Sequence, residues 1–85
     1  MELQLLSRTG CSACATAHAE LTRICAELGV GFTDIDVDAA AEGGNRELRA
    51  EYGDRLPVIL LDGVEHSYWE VDEPRLRADL AARLG

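Results

Sequence analysis

Cys11 and Cys14 are the residues best placed to do covalent chemistry, in the run Ser7-Arg8-Thr9-Gly10-Cys11-Ser12-Ala13-Cys14. A Cys-x-x-Cys pair supports three readings: a reactive dithiol, half of a metal site, or two inert cysteines. This pair falls where an apolar strand gives way to a helix. Unpaired backbone N–H groups at a helix start point toward the first sulfur, and the helix dipole adds positive potential. Both favour thiolate, so Cys11 is expected to ionise below the ~8.5 of a free cysteine. Arg8, upstream in the same loop, offers a nearby cation. Cys14, one turn into the helix, is within reach of a mixed disulfide at Cys11. The pair then divides into an attacking and a resolving thiol.

His18 lies four residues beyond Cys14, and Cys25 eleven residues beyond it. Eleven helical residues span about 16 Å at ~1.5 Å each. That separation excludes a metal ion shared by Cys14 and Cys25, and a disulfide between them. Only Cys11, Cys14 and His18 can gather, one ligand short of a structural zinc site, and no second Cys-x-x-Cys exists. Cys25 instead fits an apolar stripe with Leu21 and Leu28, as a small buried hydrophobe. His18, at the edge of that stripe, reads as a boundary histidine or as a proton-transfer group for the pair.

The elements that must hold these residues follow from periodicity. Residues 3–7 read as a short buried strand. From Ser12 to Leu28 apolar residues recur at steps of three and four, a helix capped by Ser12 or Thr9 and stopped by Gly29. Residues 32–37 read as a second strand, 39–44 as a loop, and 45–53 as a short helix capped by Asn45, with Leu48 and Tyr52 inward. Pro57 leads an apolar strand over 58–63. An Asp-Gly turn joins it to a strand over 64–71. Residues 72–84 form a last helix with Pro74 in its first turn and Leu76, Leu80 and Leu84 as its buried stripe. The order β-α-β-α-β-β-α predicts an α/β fold. Its four-stranded mixed sheet has the first two strands parallel, the last two antiparallel, and helices on both faces.

The chain has 85 residues, enough for one domain spanning 1–85. Sixteen acids against eight arginines, with no lysine, give a net charge of -8. That balance argues against a general nucleic-acid binder or an anionic-membrane binder, which need basic faces. Met1 is followed by "ELQLLS", with no basic start and no long apolar run, so a cytoplasmic protein is expected. In a reducing cytosol a Cys pair is more often catalytic or metal-binding than structural.

With "RTGCSAC" and, some forty residues on, "LPVILLDG", the chain resembles a glutaredoxin of the thioredoxin superfamily over nearly its whole length. The nearest subgroup is the small bacterial glutaredoxin-like proteins with a "YWEVDE"-type ending. The resemblance implies a thioredoxin/glutaredoxin fold and a cis peptide before Pro57, beside the cysteines. Leu56 would then offer its backbone N–H and C=O to an extended substrate, as an added strand does. Arg8 matches a basic position that assists the thiolate and a substrate carboxylate. Arg55 reads as a second cation on that rim or as a solvated charge.

Two departures bear on the substrate. Ser12-Ala13 stands where glutaredoxins usually carry Pro-Tyr. Ser67-Tyr68 stands where most carry the Gly-Gly that admits glutathione. The resemblance therefore implies a thiol–disulfide oxidoreductase of the cytoplasm, with catalytic Cys11 and Cys14, that reduces protein or mixed disulfides. Its reductant would be glutathione, another low-molecular-weight thiol, or a reductase. No bound cofactor is implied, and a monomer is expected. The rivals are a metal or iron–sulfur binding module and a non-catalytic adaptor presenting Tyr68 and Trp69 to a partner.

Overall fold

A computed structural model describes residues 1–85. Its elements are β1 (Leu3–Ser7), α1 (Ser12–Leu28), β2 (Thr33–Asp36), α2 (Val37–Glu42), α3 (Glu47–Tyr52), β3 (Val58–Leu61), β4 (Val64–Tyr68) and α4 (Glu73–Leu84). The sheet runs β2-β1-β3-β4. β1 is parallel to β2 and antiparallel to β3, and β3 is antiparallel to β4. This is the mixed four-stranded sheet the periodicity predicts.

Each face of the sheet carries its own core, because successive side chains on a strand point to opposite sides. Leu3 and Leu5 of β1, with Ile59 and Leu61 of β3, pack against Ala17, Leu21, Ile24 and Cys25 of α1 and Leu76 and Leu80 of α4. Leu6, Val58 and Leu60 face the other way, onto Val37 of α2, with Leu48 and Tyr52 of α3 at the margin. Burying each such Leu or Ile contributes about 1.5–3 kcal/mol. Cys25 is buried in the first core as a free thiol. Asp62 and Gly63 both have positive φ, 52° and 80°, which suits the tight Asp-Gly turn between β3 and β4.

Several expectations need correction. The strand read over 64–71 ends at Tyr68, because Trp69 leaves the extended conformation, and the helix read as capped by Asn45 begins at Glu47, after Arg46. The stretch read as a loop at 39–44 is largely helical, because Asp36 caps α2. Asp36 Oδ1 accepts from the N–H groups of Asp38 at 2.9 Å and Ala39 at 3.1 Å, and the alanines that follow favour helix. The second strand is accordingly shorter than expected, ending at Asp36. Helix α1 is capped by Cys11 itself, not by Ser12 or Thr9. Leu84 is 53% exposed, since α4 runs past the edge of the core after Leu80. No helix is long and apolar enough to cross a membrane.

Candidate redox site

Strand register gathers the site at one end of the sheet. Leu6 of β1 pairs with Val58 of β3, and Val58 with Tyr68 of β4. Ser7 of β1 pairs with Asp36 of β2. The loop leaving β1, the start of β2's following helix, the entry to β3 and the exit of β4 therefore meet. Cys11, Asp38, Pro57 and Trp69 belong to these four segments. Gly10, at φ 81°, turns the chain from β1 into α1.

Cys11 and Cys14 are disulfide-bonded, with Cα atoms 5.2 Å apart. Cys11 is half-buried, whereas Cys14 is 4% exposed. The backbone N–H of Cys14 donates to Cys11 Sγ at 3.1 Å. This is the sulfur expected to gain from the helix start, and no acidic side chain occupies the first turn of α1 to oppose it. The disulfide is thus reached from the Cys11 side, with Cys14 behind it.

Carboxylates anchor the loop that presents Cys11. Arg8 Nε donates to Asp38 Oδ2 at 2.8 Å, and a second guanidinium nitrogen donates to Asp38 Oδ1 at 3.3 Å. This pairing holds the Asp38 carboxyl below the usual carboxylate range. Thr9 Oγ1 donates to Asp36 Oδ2 at 2.8 Å, which, with the backbone N–H groups of Ala39 and Asp38, lowers the Asp36 carboxyl likewise. Arg8 lines the clefts on both sides of Cys11, but its charge is engaged rather than free.

Arg55 is also committed. It donates to both oxygens of Glu65 at 3.0 and 2.9 Å, reaches Asp54 at 3.0 Å, and lies 5.1 Å above the Tyr52 ring. It lines no cleft with Cys11, so it braces the β3–β4 hairpin instead of standing as a free cation on the rim. Its neighbours Asp54 and Leu56 do line a cleft of about 270 Å³ with Cys11. The Leu56–Pro57 peptide is cis, as the family resemblance implied.

On the opposite side of Cys11 lies a cleft of about 320 Å³, lined by Ser7, Arg8, Cys11, Cys14, His18 and Asp34 among others. His18 Nδ1 is 2.7 Å from Asp34 Oδ2, and Ser7 Oγ donates to Asp34 Oδ1 at 2.5 Å. The His18 ring meets Phe32 edge-on, with centroids 5.2 Å apart. Asp34, Asp36 and Asp38 escaped the sequence reading as site residues. They fall in or just beyond the stretch read as the second strand, although an Asp followed by an alanine run is itself a helix-cap signal.

Trp69 follows β4 at the same end of the sheet. It is 63% exposed, sits at φ 69°, and meets Tyr68 edge-on at 5.0 Å. It lines a groove of about 260 Å³ with Ala13, Thr16, Glu20 and Glu70. Ser67 and Tyr68, read as standing for the missing glycines, lie within β4 opposite Ile59 and Val58. The residue in the left-handed conformation that glycine favours is Trp69. The largest cleft, about 1020 Å³, lies beside β4 and the start of α4 and includes neither cysteine of the pair. No three His, Cys, Asp or Glu side chains converge as a metal-ligand set.

Comparison with known proteins accords with this geometry. The family described as Glutaredoxin-like domain (DUF836) matches residues 2–81. Uncharacterized proteins of Mycobacterium tuberculosis and Mycobacterium bovis are 59% identical over 80 residues, covering 94% of this chain and 82% of theirs. An X-ray structure of the structural-genomics target protein XcR50 from X. campestris superposes with a TM-score of 0.68 at 30% identity. That match covers 94% of this chain and 96% of the other.

Proposed function

The chain belongs to the glutaredoxin-like (DUF836) family and has a thioredoxin-like fold, and from that membership we propose that it is a cytoplasmic dithiol–disulfide oxidoreductase. The observation that carries the reading is the asymmetry of the pair. Cys11 is the accessible sulfur at the start of α1 and receives an N–H from Cys14, while Cys14 is buried behind it.

In the reducing direction the Cys11 thiolate attacks one sulfur of a substrate disulfide. The other substrate sulfur leaves as a thiolate and takes a proton. Cys14 then gives up its proton and attacks Cys11 Sγ, which releases the second substrate thiolate. Two electrons have passed to the substrate, and the chain is left with the Cys11–Cys14 disulfide. A small thiol or a reductase supplies two electrons to reopen it. Leu56 lines a cleft with Cys11, which supports a role for it in binding a disulfide-containing peptide, while Pro57, buried beside it, acts by holding Leu56 in place. Arg8 acts chiefly by fixing the loop through Asp38. The chain works as a monomer, without nucleic acid or membrane.

The test is turnover of mixed disulfides made between a peptide and several small thiols, comparing wild type with Cys11→Ser and Cys14→Ser. Cys11→Ser is expected to abolish turnover, and Cys14→Ser to abolish dithiol reduction of protein disulfides. Wild-type turnover no faster than Cys11→Ser with every substrate would defeat the reading.

A further inference from the structure

Resolution needs Cys14 as a thiolate, yet Cys14 is the sulfur least helped by its surroundings. It is buried, and burial favours the neutral thiol. The N–H at the helix start is spent on Cys11. A base that faces Cys14 must therefore take its proton. The chargeable or hydroxyl groups of the cleft shared with Cys14 are few: Ser7 from β1, Arg8 from the loop that follows it, Asp34 from β2, and His18 from α1. Asp38 of α2 lies behind, on Arg8.

Arg8 has no lone pair to accept a proton and is engaged by Asp38. The two oxygens of Asp34 are taken, one by the Ser7 hydroxyl and one by His18. Asp34, as acceptor, fixes the proton of the imidazole on Nδ1 and leaves Nε2 with its lone pair. Four residues after Cys14 on the same helix, His18 lies on the same face, with Cβ atoms about 5–6 Å apart in a regular helix. No direct nitrogen–sulfur hydrogen bond joins them, so the proton crosses by way of water in the open cleft.

We propose that His18, oriented by Asp34 and Ser7, takes the proton of the Cys14 thiol as Cys14 resolves a mixed disulfide at Cys11. The proposal rests on the dithiol reading. The proton passes from Cys14 Sγ to His18 Nε2. The sulfur's electron pair forms the new bond to Cys11 Sγ, and the pair of the broken bond leaves with the substrate thiolate. That thiolate takes a proton from the imidazolium or from solvent. His18 is the proton-transfer residue, and Asp34 is a positioning residue.

The experiment mixes fully reduced protein with an aromatic disulfide that releases one coloured thiolate at Cys11 attack and a second at Cys14 resolution. In wild type the second phase should follow the first closely, and His18→Gln should slow the second phase at neutral pH by about tenfold or more, the low side of general-base effects. It should slow the first phase far less. Asp34→Asn should act in the same direction, because its amide can donate to Nδ1 and move the imidazole proton onto Nε2. Free imidazole should speed the second phase of His18→Ala, which a purely structural role would not produce. A normal first phase with an unchanged second phase in His18→Gln overturns this proposal alone, as does equal slowing of both. No first phase in wild type overturns the dithiol reading, and this proposal with it.

Discussion

Trp69 donates its backbone N–H to the carbonyl oxygen of Pro57 at 2.7 Å. The bond ties the residue after β4 to the entry of β3 and fixes the indole beside the cysteine-bearing start of α1. It does so in a left-handed conformation, φ 69°, that costs a non-glycine residue about 1–2 kcal/mol. Trp69→Gly removes that cost and also removes the edge-on contact with Tyr68, worth about 0.5–1.5 kcal/mol. The two nearly cancel, so denaturant unfolding should show a stability within about 1 kcal/mol of wild type. Loss of the indole widens the groove over Ala13 and Thr16. Turnover of glutathione mixed disulfides should then rise severalfold in a coupled assay. Unchanged turnover would mean that Trp69 does not limit access.

In the reduced protein the cysteines should alkylate in a set order. Cys11 accepts an N–H at the helix start, while burial pushes the Cys25 thiol up. Pulse alkylation read by peptide mapping should label Cys11 first, by about tenfold or more near neutral pH. Equal rates at Cys11 and Cys25 would remove the activation argument.

Salt should speed the reaction with glutathione disulfides. Glutathione carries two carboxylates against one ammonium, and the chain carries -8. Arg8 and Arg55, the cations nearest the site in sequence, are neutralised by Asp38 and Glu65. Repulsion therefore prevails, and it is screened over about 8 Å at physiological ionic strength. The coupled rate should rise modestly from low to high salt. A fall would indicate a free cation at the rim.

Glu73 joins α4 to α1. Arg23 and Arg77 donate to its carboxylate, at 2.7 and 2.8 Å, and hold its carboxyl down to about 2. The unfolded chain's glutamate titrates near 4.3. Because the folded value is depressed, its contribution is fully present above about 4.3 and is lost as pH falls through about 2. Glu73→Gln should lower the melting temperature slightly at neutral pH, by a few degrees at most for a solvent-screened pair. The gap should close toward pH 2. A gap independent of pH would assign the effect to packing instead.

The parts of this account legible in the sequence are those written in local periodicity. Helix α1, the Asp62-Gly63 turn and the α4 stripe through Leu80 follow from spacing alone. The cis Leu56–Pro57 peptide came from family resemblance, since nothing in composition distinguishes it. Helix α2 was missed because Asp36 and Val37 fit a strand's alternation as well as they fit a cap and first turn. The partners of Arg8 and Arg55 lie 30 and 10 residues away, a pairing set by tertiary register. The left-handed Trp69 was hidden for a further reason. A bulky residue gives no local sign of that conformation, and β4 carries a bulge opposite Ile59 and Leu60 that shifts the strand's alternation just before it.

The claim that Cys11 attacks and Cys14 resolves is tested most directly by trapping. Reduced Cys14→Ser is mixed with a disulfide-containing peptide, and the adduct is mapped by mass spectrometry. A stable peptide mixed disulfide on Cys11 is expected in this variant, whereas wild type should pass on to the Cys11–Cys14 disulfide and free peptide thiols. A peptide adduct on Cys25, or no adduct on any cysteine, would contradict the account.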